Sequence, residues 1–200
     1  PPGSLLRLQH GEVVLVDKEA FLGGRVARSN LYFPKLCPPS CGLEINLRRV
    51  KNNPRIRVLT LAEVESISGG PGAFRATIRR NPRFVNEKCT ACGACAVACP
   101  VERPNAFNLG LDTTKAAYLP FDMAYPTRLV IDGSTCLGAE KCSKCLPACP
   151  YGAIDLAMTP ETIDVEAGAV IWAPGWAPSD ATRFEGLGFG RFPNVINNVT

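Results

Sequence analysis

The stretch that decides the fold is Cys89-Thr90-Ala91-Cys92-Gly93-Ala94-Cys95-Ala96-Val97-Ala98-Cys99-Pro100. Three cysteines follow one another at two-residue gaps, and a fourth comes three residues later, directly before a proline. Such short gaps let consecutive thiolates bind different iron atoms of one [4Fe–4S] cube, and at this spacing the fourth cysteine ligates a second cube. The run therefore predicts an iron–sulfur centre.

A second run of the same kind lies further along the chain. Its members are Cys136, Cys142, Cys145, Cys149 and Pro150. The last four repeat the spacing of the first run, and the preceding segments 83–86 and 128–132 also match each other. The duplication predicts a bacterial-type ferredoxin domain with approximate two-fold symmetry and two clusters. One departure is the loop between Cys136 and Cys142, which holds five residues where two are usual.

The spacing rule divides the eight cysteines into two ligand sets, because the last cysteine of each run belongs to the other cube. Set 1 consists of Cys89, Cys92, Cys95 and Cys149, and set 2 consists of Cys136, Cys142, Cys145 and Cys99. The alternative is structural zinc, which also takes four thiolates but more often from two separated cysteine pairs. A zinc-bound interaction scaffold would be colourless.

Composition narrows the class of protein. The 200 residues are 46% hydrophobic and carry a net charge of +4 without a basic block, which argues against a nucleic-acid partner. No apolar run is long enough for a membrane-spanning helix, and the start lacks a secretory signal pattern, so we expect a cytoplasmic location. Ten cysteines in that reducing compartment favour metal binding over disulfides. The ends of the sequence suggest a fragment of a longer protein.

The sequence on either side of the cysteine runs has the patterns of regular structure. We predict a helix end over 5–11, strands over 12–17, 55–61, 63–68, 74–79, 162–165 and 167–173, and a helix over 41–50. The three central strands are expected to form an antiparallel meander with a turn at 69–72. This arrangement predicts that the cysteine-rich segment is inserted into another domain.

A carboxylate and a pair of glycines suggest a nucleotide site in that other domain. Asp17 ends a predicted buried strand, where an acid can hydrogen-bond the ribose of an adenine dinucleotide, or can be a solvated strand-end carboxylate. Gly23 and Gly24 could let the backbone approach a pyrophosphate, with Arg25 adding charge, although Gly-Gly pairs are usually turns.

These segments resemble the FAD domain of two-dinucleotide-fold flavoproteins. The matching stretches are 14–18, Gly23-Gly24-Arg25, Ala62-Glu63-Val64 and 168–176. Together with the interposed ferredoxin, the run 32–46 and the ending Asn194-Val195-Ile196, they resemble the HdrA family, the iron–sulfur flavoprotein subunits of heterodisulfide reductase. Within it, the chain is most similar to the HdrA-like proteins of sulfur oxidation and to the HdrA-like subunit of the quinone-interacting membrane-bound oxidoreductase.

The resemblance implies roles for particular residues. Asp17 would contact the adenosine ribose, Gly23, Gly24 and Arg25 would line the FAD loop, Val64 would present backbone to the adenine, and Ala173 to Gly175 would pack beside the cofactor. The family usually has Ala-Thr-Gly where this chain has Ala173-Pro174-Gly175, and its glycine-rich phosphate loop is expected upstream of the first residue.

The resemblance also implies a fold, a function and partners. The expected fold is a partial α/β FAD/NAD(P)-binding domain (1–82 and 158–200), interrupted by an α+β 2[4Fe–4S] ferredoxin domain (83–157). The expected function is electron transfer between FAD and two clusters in an oxidoreductase of sulfur metabolism. Other heterodisulfide-reductase-like subunits or redox proteins are the expected partners, and a homodimer is left open. The alternative is a ferredoxin-like carrier with a vestigial nucleotide fold.

Two cysteines fall outside both sets. Cys37 and Cys41 lie on a proline-stiffened loop, and two thiolates alone cannot complete a third four-cysteine cluster. Three interpretations stay open: ligands of a cluster shared with other residues or a partner, a redox dithiol near the flavin, and two inert thiols. No catalytic residue is assigned beyond these two candidate redox thiols.

Overall fold

A computed structural model describes residues 4–9, 11–31 and 36–197. Its strands, in chain order, are β1 (Ser4–Arg7), β2 (Val13–Asp17), β3 (Ile56–Thr60), β4 (Ala62–Gly70), β5 (Ala73–Arg80), β6 (Glu102–Pro104), β7 (Thr113–Lys115), β8 (Ala117–Tyr118), β9 (Val130–Ile131) and β10 (Glu161–Ala167). Its α-helices are α1 (Gly24–Arg28), α2 (Ser40–Asn52), α3 (Ala94–Ala98) and α4 (Cys145–Ala148). The described residues thus form a small α/β protein.

The largest sheet joins segments from both sides of the cysteine-rich region. Its strand order is β1-β10-β5-β4, with β1 parallel to β10 and the other pairs antiparallel. Arg80 at the end of β5 stands opposite Glu161 at the start of β10, and their side chains form an ion pair. The chain therefore leaves the sheet at Arg80 and returns beside it, enclosing 81–160 as an insertion. The predicted domain boundaries within this scheme stay predictions.

A second pair of strands lies against this sheet. β2 and β3 run parallel, with Val13 opposite Ile56 and Asp17 opposite Thr60. A buried cluster of Leu59, Ala62, Ile78, Ile163 and Val165 joins the two sheets. Along β10, Ile163 and Val165 are buried in alternation, because successive side chains of a strand point to opposite faces.

The cysteine-rich insertion has its own hydrophobic core. Seven buried residues form it: Val85, Cys95, Ala117, Leu129, Ile131, Cys145 and Ala153. The antiparallel pair β8-β9 contributes Ala117 and Ile131 to this core. A second short pair, β6-β7, is also antiparallel.

Residues from Ile171 onward form a separate compact unit. Its regular structure consists of two 3₁₀ turns, Ala181–Arg183 and Glu185–Leu187, and the first of these is capped by the Asp180 carboxylate. Among the residues that the structure describes, no helix is both long enough and apolar enough to cross a membrane.

Several predicted elements are confirmed and three are wrong. The strands near 12–17, 55–61, 63–68, 74–79 and 162–165 and the helix near 41–50 are present. The predicted helix end over 5–11 is wrong, because Ser4–Arg7 is a strand parallel to β10, and Leu6 and Leu8 pack on the core at the two-residue spacing of a strand. His10, which falls within that predicted helix end, lies outside the described residues.

The other two corrections concern strand pairing. β3 does not join β4 and β5 in a meander, because it pairs with β2 in a separate parallel sheet. Residues 168–173 are not a strand, since they are exposed and lie beyond the last residue of β10 that pairs with β5. In both cases the local apolar pattern was compatible with a strand, but the partner was not visible in it.

Candidate functional site

The two cysteine runs fold in the same way. In the first run, Cys95 lies in α3, and this helix ends at Cys99. In the second run, Cys145 begins α4, and this helix ends at Cys149. α3 and α4 pack against each other, as expected for a duplicated domain.

The cysteines surround the core of the insertion. Cys95 is 5% exposed and Cys145 is 9% exposed, and both belong to the buried cluster. Four more pack against it, namely Cys89, Cys99, Cys136 and Cys149. Cys92 is exposed and Cys142 is half-buried. Sulfur atoms at this depth are removed from water, which disfavours the thiolate unless a cation compensates it.

Each of the two buried thiols is influenced by a different group of cysteines. Burial, followed by the charges of Cys89 and Cys149 and a smaller effect of Cys145, raises the pKa of Cys95 to about 11. Burial also raises the pKa of Cys145, and there the charges that add to the effect are those of Cys136, Cys142 and Cys99. The largest cysteine contributions at Cys95 thus come from set 1, the leading ones at Cys145 come from set 2, and Cys95 and Cys145 also influence each other.

This electrostatic arrangement fits a cationic group at each set. Neighbouring thiolates repel one another, and burial adds to this effect at Cys95 and Cys145, so both causes favour the protonated thiol at these two residues. A bound metal centre removes those protons and compensates the charges. The donor chemistry of both sets therefore fits an iron–sulfur cluster.

Backbone N–H groups point toward two of the sulfur atoms. The Ala91 N–H donates to Cys89 Sγ at 3.4 Å, and the Ala153 N–H donates to Cys149 Sγ at 3.3 Å. Ala91 adopts a positive φ of 58° in this turn. Both sulfur atoms belong to set 1. Hydrogen bonds of this type stabilise the reduced state of a cluster and so tune its potential.

A site for a single metal ion needs a different arrangement of ligands from that of a four-iron cluster. Among the described residues, no group of three His, Cys, Asp or Glu side chains is placed to hold one metal ion. The cysteines of a cube need not converge on one point, because each binds a different iron atom.

The residues predicted to contact FAD lie in several parts of the described chain. Asp17 is the last residue of β2, and its Oδ1 accepts a hydrogen bond from the Glu19 N–H at 2.9 Å. Burial raises the pKa of the Asp17 carboxyl above its usual value. Since the ionised form is disfavoured there, this carboxylate does not stabilise the fold at neutral pH.

The glycine pair begins the helix that follows. Gly23 has a φ of 112° and caps α1, and Gly24 is its first residue with a φ of 51°. A Cβ at Gly23 would lie 3.0 Å from Leu43 Cδ1, so this position has both a glycine conformation and little space. Arg25 is exposed on the same short helix.

The remaining predicted FAD contacts are divided between two units. Val64 is half-buried in β4 and packs on the core between the two sheets. Ala173 and Gly175 are exposed and belong to the unit that starts at Ile171. The FAD contacts themselves stay predictions.

The loop after Asp17 is buried against the insertion. Ala20, Phe21 and Leu22 are 5%, 3% and 5% exposed. The Leu22 N–H donates to the Tyr125 carbonyl at 3.0 Å. The Phe21 ring meets the edges of two rings from the insertion, those of Phe107 and Phe121. This loop therefore connects the β2–β3 pair to the cysteine-rich domain.

The two remaining cysteines are both exposed. Cys41 lies in the first turn of α2, and its N–H donates to the Pro38 carbonyl at 3.4 Å. Cys37 precedes that helix. The three interpretations of this pair stay open.

Sequence reasoning missed one polar residue in the interior. Arg83 is only 8% exposed and bonds to residues on both sides of the connection between the two parts of the fold. The matching of segment 83–86 with 128–132 was the available signal, because the Ile131 N–H donates to the Arg83 carbonyl at 3.1 Å and so joins the two copies.

One protein family profile matches the first cysteine run. The family described as "4Fe-4S binding domain" matches residues 82–102. With the ferredoxin-type arrangement of α3 and α4, this match places the chain in the class of iron–sulfur proteins.

Several related proteins are similar to nearly the whole chain. The iron–sulfur subunit HdrA of the CoB–CoM heterodisulfide reductase of Methanocaldococcus jannaschii is 42% identical over 192 residues, which are 94% of this chain and 28% of the relative. The HdrA protein of the ferredoxin/F420H2-dependent CoB–CoM heterodisulfide reductase of Methanosarcina acetivorans is 40% identical over 94% of this chain and 24% of its own length. An HdrA protein of Methanopyrus kandleri is 40% identical over 94% of this chain and 28% of its own length.

Nearly the whole chain is therefore similar to one part of the HdrA subunits of heterodisulfide reductases, and the predicted resemblance to this family is confirmed. The chain spans about a quarter of the length of the relatives that it matches.

Proposed function

We propose that this chain is the electron-transferring part of a heterodisulfide-reductase-like iron–sulfur flavoprotein subunit. Set 1 would hold one [4Fe–4S] cluster and set 2 another, and the β2–β3 half would contact FAD. The observation that supports this most is the packing of the two cysteine-bearing helices α3 and α4 against each other, with Cys95 and Cys145 buried in one core. Two crossed sets are what a duplicated ferredoxin domain requires.

The electron chemistry of iron–sulfur clusters and flavins explains why one protein would contain both. A cluster carries one electron at a time, whereas a flavin exchanges one or two, so together they connect one-electron and two-electron partners. The chain contributes buried thiols, backbone N–H donors and a fixed spacing between the two helices. We propose that the whole protein acts on a sulfur or disulfide donor or acceptor within a multi-subunit complex, as the descriptions of its relatives indicate for those proteins.

A second candidate function keeps the clusters but not the flavin. The buried loop 20–22 gives the β2–β3 half a structural task that needs no cofactor. The chain would then be a ferredoxin-like electron carrier with a vestigial nucleotide fold.

Analysis of iron, acid-labile sulfide and flavin in the anaerobically purified protein tests both candidates. We expect about eight iron and about eight sulfide per chain, because each of two cubes contains four of each. Flavin absorption bands above the broad cluster absorption support the flavoprotein. Iron without flavin supports the carrier, and a colourless zinc protein contradicts both.

Replacement of Asp17 by asparagine tests the flavin half separately. We expect D17N to retain several-fold less flavin, because a carboxylate accepts hydrogen bonds from ribose hydroxyls better than an amide does. Folding should persist, since asparagine still offers an oxygen to the Glu19 N–H and no buried charge is lost that stabilises the protein. Flavin and iron per chain are measured together.

The matched control is D155N. Asp155 Oδ1 accepts a hydrogen bond from the Ala157 N–H at 3.0 Å, in the same local pattern as Asp17, but it is exposed. D155N should leave the flavin content unchanged. Equal flavin in D17N and the wild type would exclude a ribose contact for Asp17.

A further inference from the structure

The turn that follows the first cysteine differs between the two runs. In the first run, two residues separate the first two cysteines, and the Ala91 N–H donates to Cys89 Sγ at 3.4 Å. In the second run, five residues follow Cys136, and the Cys142 N–H donates to the Gly138 carbonyl at 2.9 Å. The longer loop therefore hydrogen-bonds to itself, and no N–H group in the described part of the chain donates to Cys136 Sγ.

The segment that follows the last cysteine also differs between the two runs. After Cys149 the chain turns, and the Ala153 N–H donates to Cys149 Sγ at 3.3 Å. After Cys99 the chain enters β6 instead, and Cys99 Sγ lies 3.8 Å from the Val101 carbonyl oxygen. That carbonyl is fixed in place, because it accepts the Ala116 N–H at 3.0 Å. The sulfur of Cys149 thus lies next to a donor, and the sulfur of Cys99 lies next to an acceptor.

The spacing rule assigns both N–H donors to set 1 and the carbonyl to set 2. Cys89 and Cys149, which accept the N–H groups, belong to set 1, and Cys99 belongs to set 2. A sulfur that binds iron has lost its proton, so it can accept from an N–H group but can no longer donate to a carbonyl. The negative end of the Val101 carbonyl dipole then repels a negative sulfur. Added negative charge is therefore favoured at set 1 and disfavoured at set 2.

Solvent exposure and exposed charges do not reverse this difference. Cys92 of set 1 is exposed and Cys142 of set 2 is half-buried, and contact with water also favours the more highly charged reduced cluster. Lys141 and Lys144 lie within the second run, but both are exposed, and water and salt screen such charges. Lys88 is a similar exposed charge beside the first run. The hydrogen bonds to the sulfur atoms are therefore the larger difference.

We propose that the cluster at set 1 has the higher reduction potential and receives the first electron, because the backbone donates hydrogen bonds to the sulfur atoms of that set. This inference rests on the proposed function, since it needs a cluster at each set. The step is the transfer of one electron from a one-electron reductant to the cluster at set 1, in which no bond forms or breaks and no proton moves. The cluster at set 2 then passes electrons to set 1 rather than receiving them from it.

Reductive titration of two double variants with dithionite measures each potential separately. C136A/C142A leaves all four cysteines of set 1 in place, and C89A/C92A leaves all four of set 2. We expect set 1 to favour the reduced state at least about tenfold more than set 2, which corresponds to about 59 mV for one electron. Electron paramagnetic resonance of the reduced cluster follows each titration. Equal potentials, or a higher potential at set 2, would overturn the inference.

Exchange of the turn tests the cause of the difference. Replacement of residues 137–141 by Thr-Ala gives the second run the spacing and the turn residues of the first. We expect the potential of the cluster at set 2 to rise toward that of set 1, because a turn of that length brings an N–H group to Cys136 Sγ. L137T is the matched control, since it adds the same threonine without shortening the loop, and it should leave both potentials unchanged. Equal potentials in L137T and the shortened loop would contradict the inference.

A spectroscopic measurement on the wild-type protein covers the case in which the shortened loop binds no cluster. After long exchange into D2O, the N–H groups of Ala91 and Ala153 carry deuterium next to the sulfur atoms of set 1. Electron–nuclear double resonance of protein reduced by one electron should therefore detect strongly coupled deuterons. A first-reduced cluster without coupled deuterons would overturn the inference. Wild-type protein without iron would instead contradict the proposed function.

Discussion

The double variant C89A/C149A is expected to retain half of the iron, whereas C89A/C99A is expected to retain almost none. Cys89 and Cys149 belong to set 1, so their joint loss removes one cluster. Cys99 belongs to set 2, so the second variant damages both sites. Iron and acid-labile sulfide per chain, with spin counts of the reduced clusters, measure the difference.

This pair of variants also separates crossed from uncrossed ligation. If each run held its own cluster, C89A/C99A would keep half of the iron and C89A/C149A would lose almost all of it. The choice of Cys89 rather than Cys95 avoids a cavity in the core, because Cys95 is 5% exposed and Cys89 only half-buried. The double variant V97A/L146A is the control, since these exposed residues lie on the same two helices. It should keep all of its iron.

The parts of the fold that the sequence predicted are those with local causes. Cysteine spacing reflects the dimensions of a cube, so it is readable without any knowledge of distant contacts. The same is true of β5, where apolar and polar residues alternate, and of α2, where helix formers follow a proline. The predicted bounds of these elements lie close to the observed ones.

The parts of the fold that the sequence did not predict depend on contacts with residues far away in the chain. β1 is only four residues long and is a strand because it pairs with β10, more than 150 residues away. The location of Arg83 depends on carbonyls and a hydroxyl from three separate segments, around residues 20, 60 and 128. Arginine is ordinarily a surface residue, so the residue type at position 83 gives no sign of burial.

The two crossed ligand sets could be predicted from the sequence only in part. The spacing rule assigns Cys99 and Cys149 to each other's clusters, and this assignment stays a prediction. The depth of Cys95 and Cys145 in one shared core was not readable from spacing, because it depends on Leu129 and Ala153, which lie outside the cysteine runs. The stability of the proposed clusters would therefore depend on ordinary hydrophobic packing.

Replacement of Leu129 by alanine is expected to accelerate cluster loss at least tenfold in guanidinium. Leu129 is 1% exposed and packs in the same core as Cys95 and Cys145. Truncation of a buried leucine costs about 2–5 kcal/mol. A loss of cubes on unfolding is irreversible, so the rate of unfolding is the relevant quantity. About 1.4 kcal/mol of that cost on the unfolding barrier already gives a tenfold change.

The decay of cluster absorbance at a fixed guanidinium concentration measures this rate. L137A is the control, because Leu137 is 49% exposed in the loop between Cys136 and Cys142 and its truncation should change stability by no more than about 0.5 kcal/mol. Because the core lies between the two helices, both clusters should be lost together in L129A, in a single phase. Decay of L129A at the rate of L137A would mean that the cubes, rather than this core, hold the two halves of the insertion together.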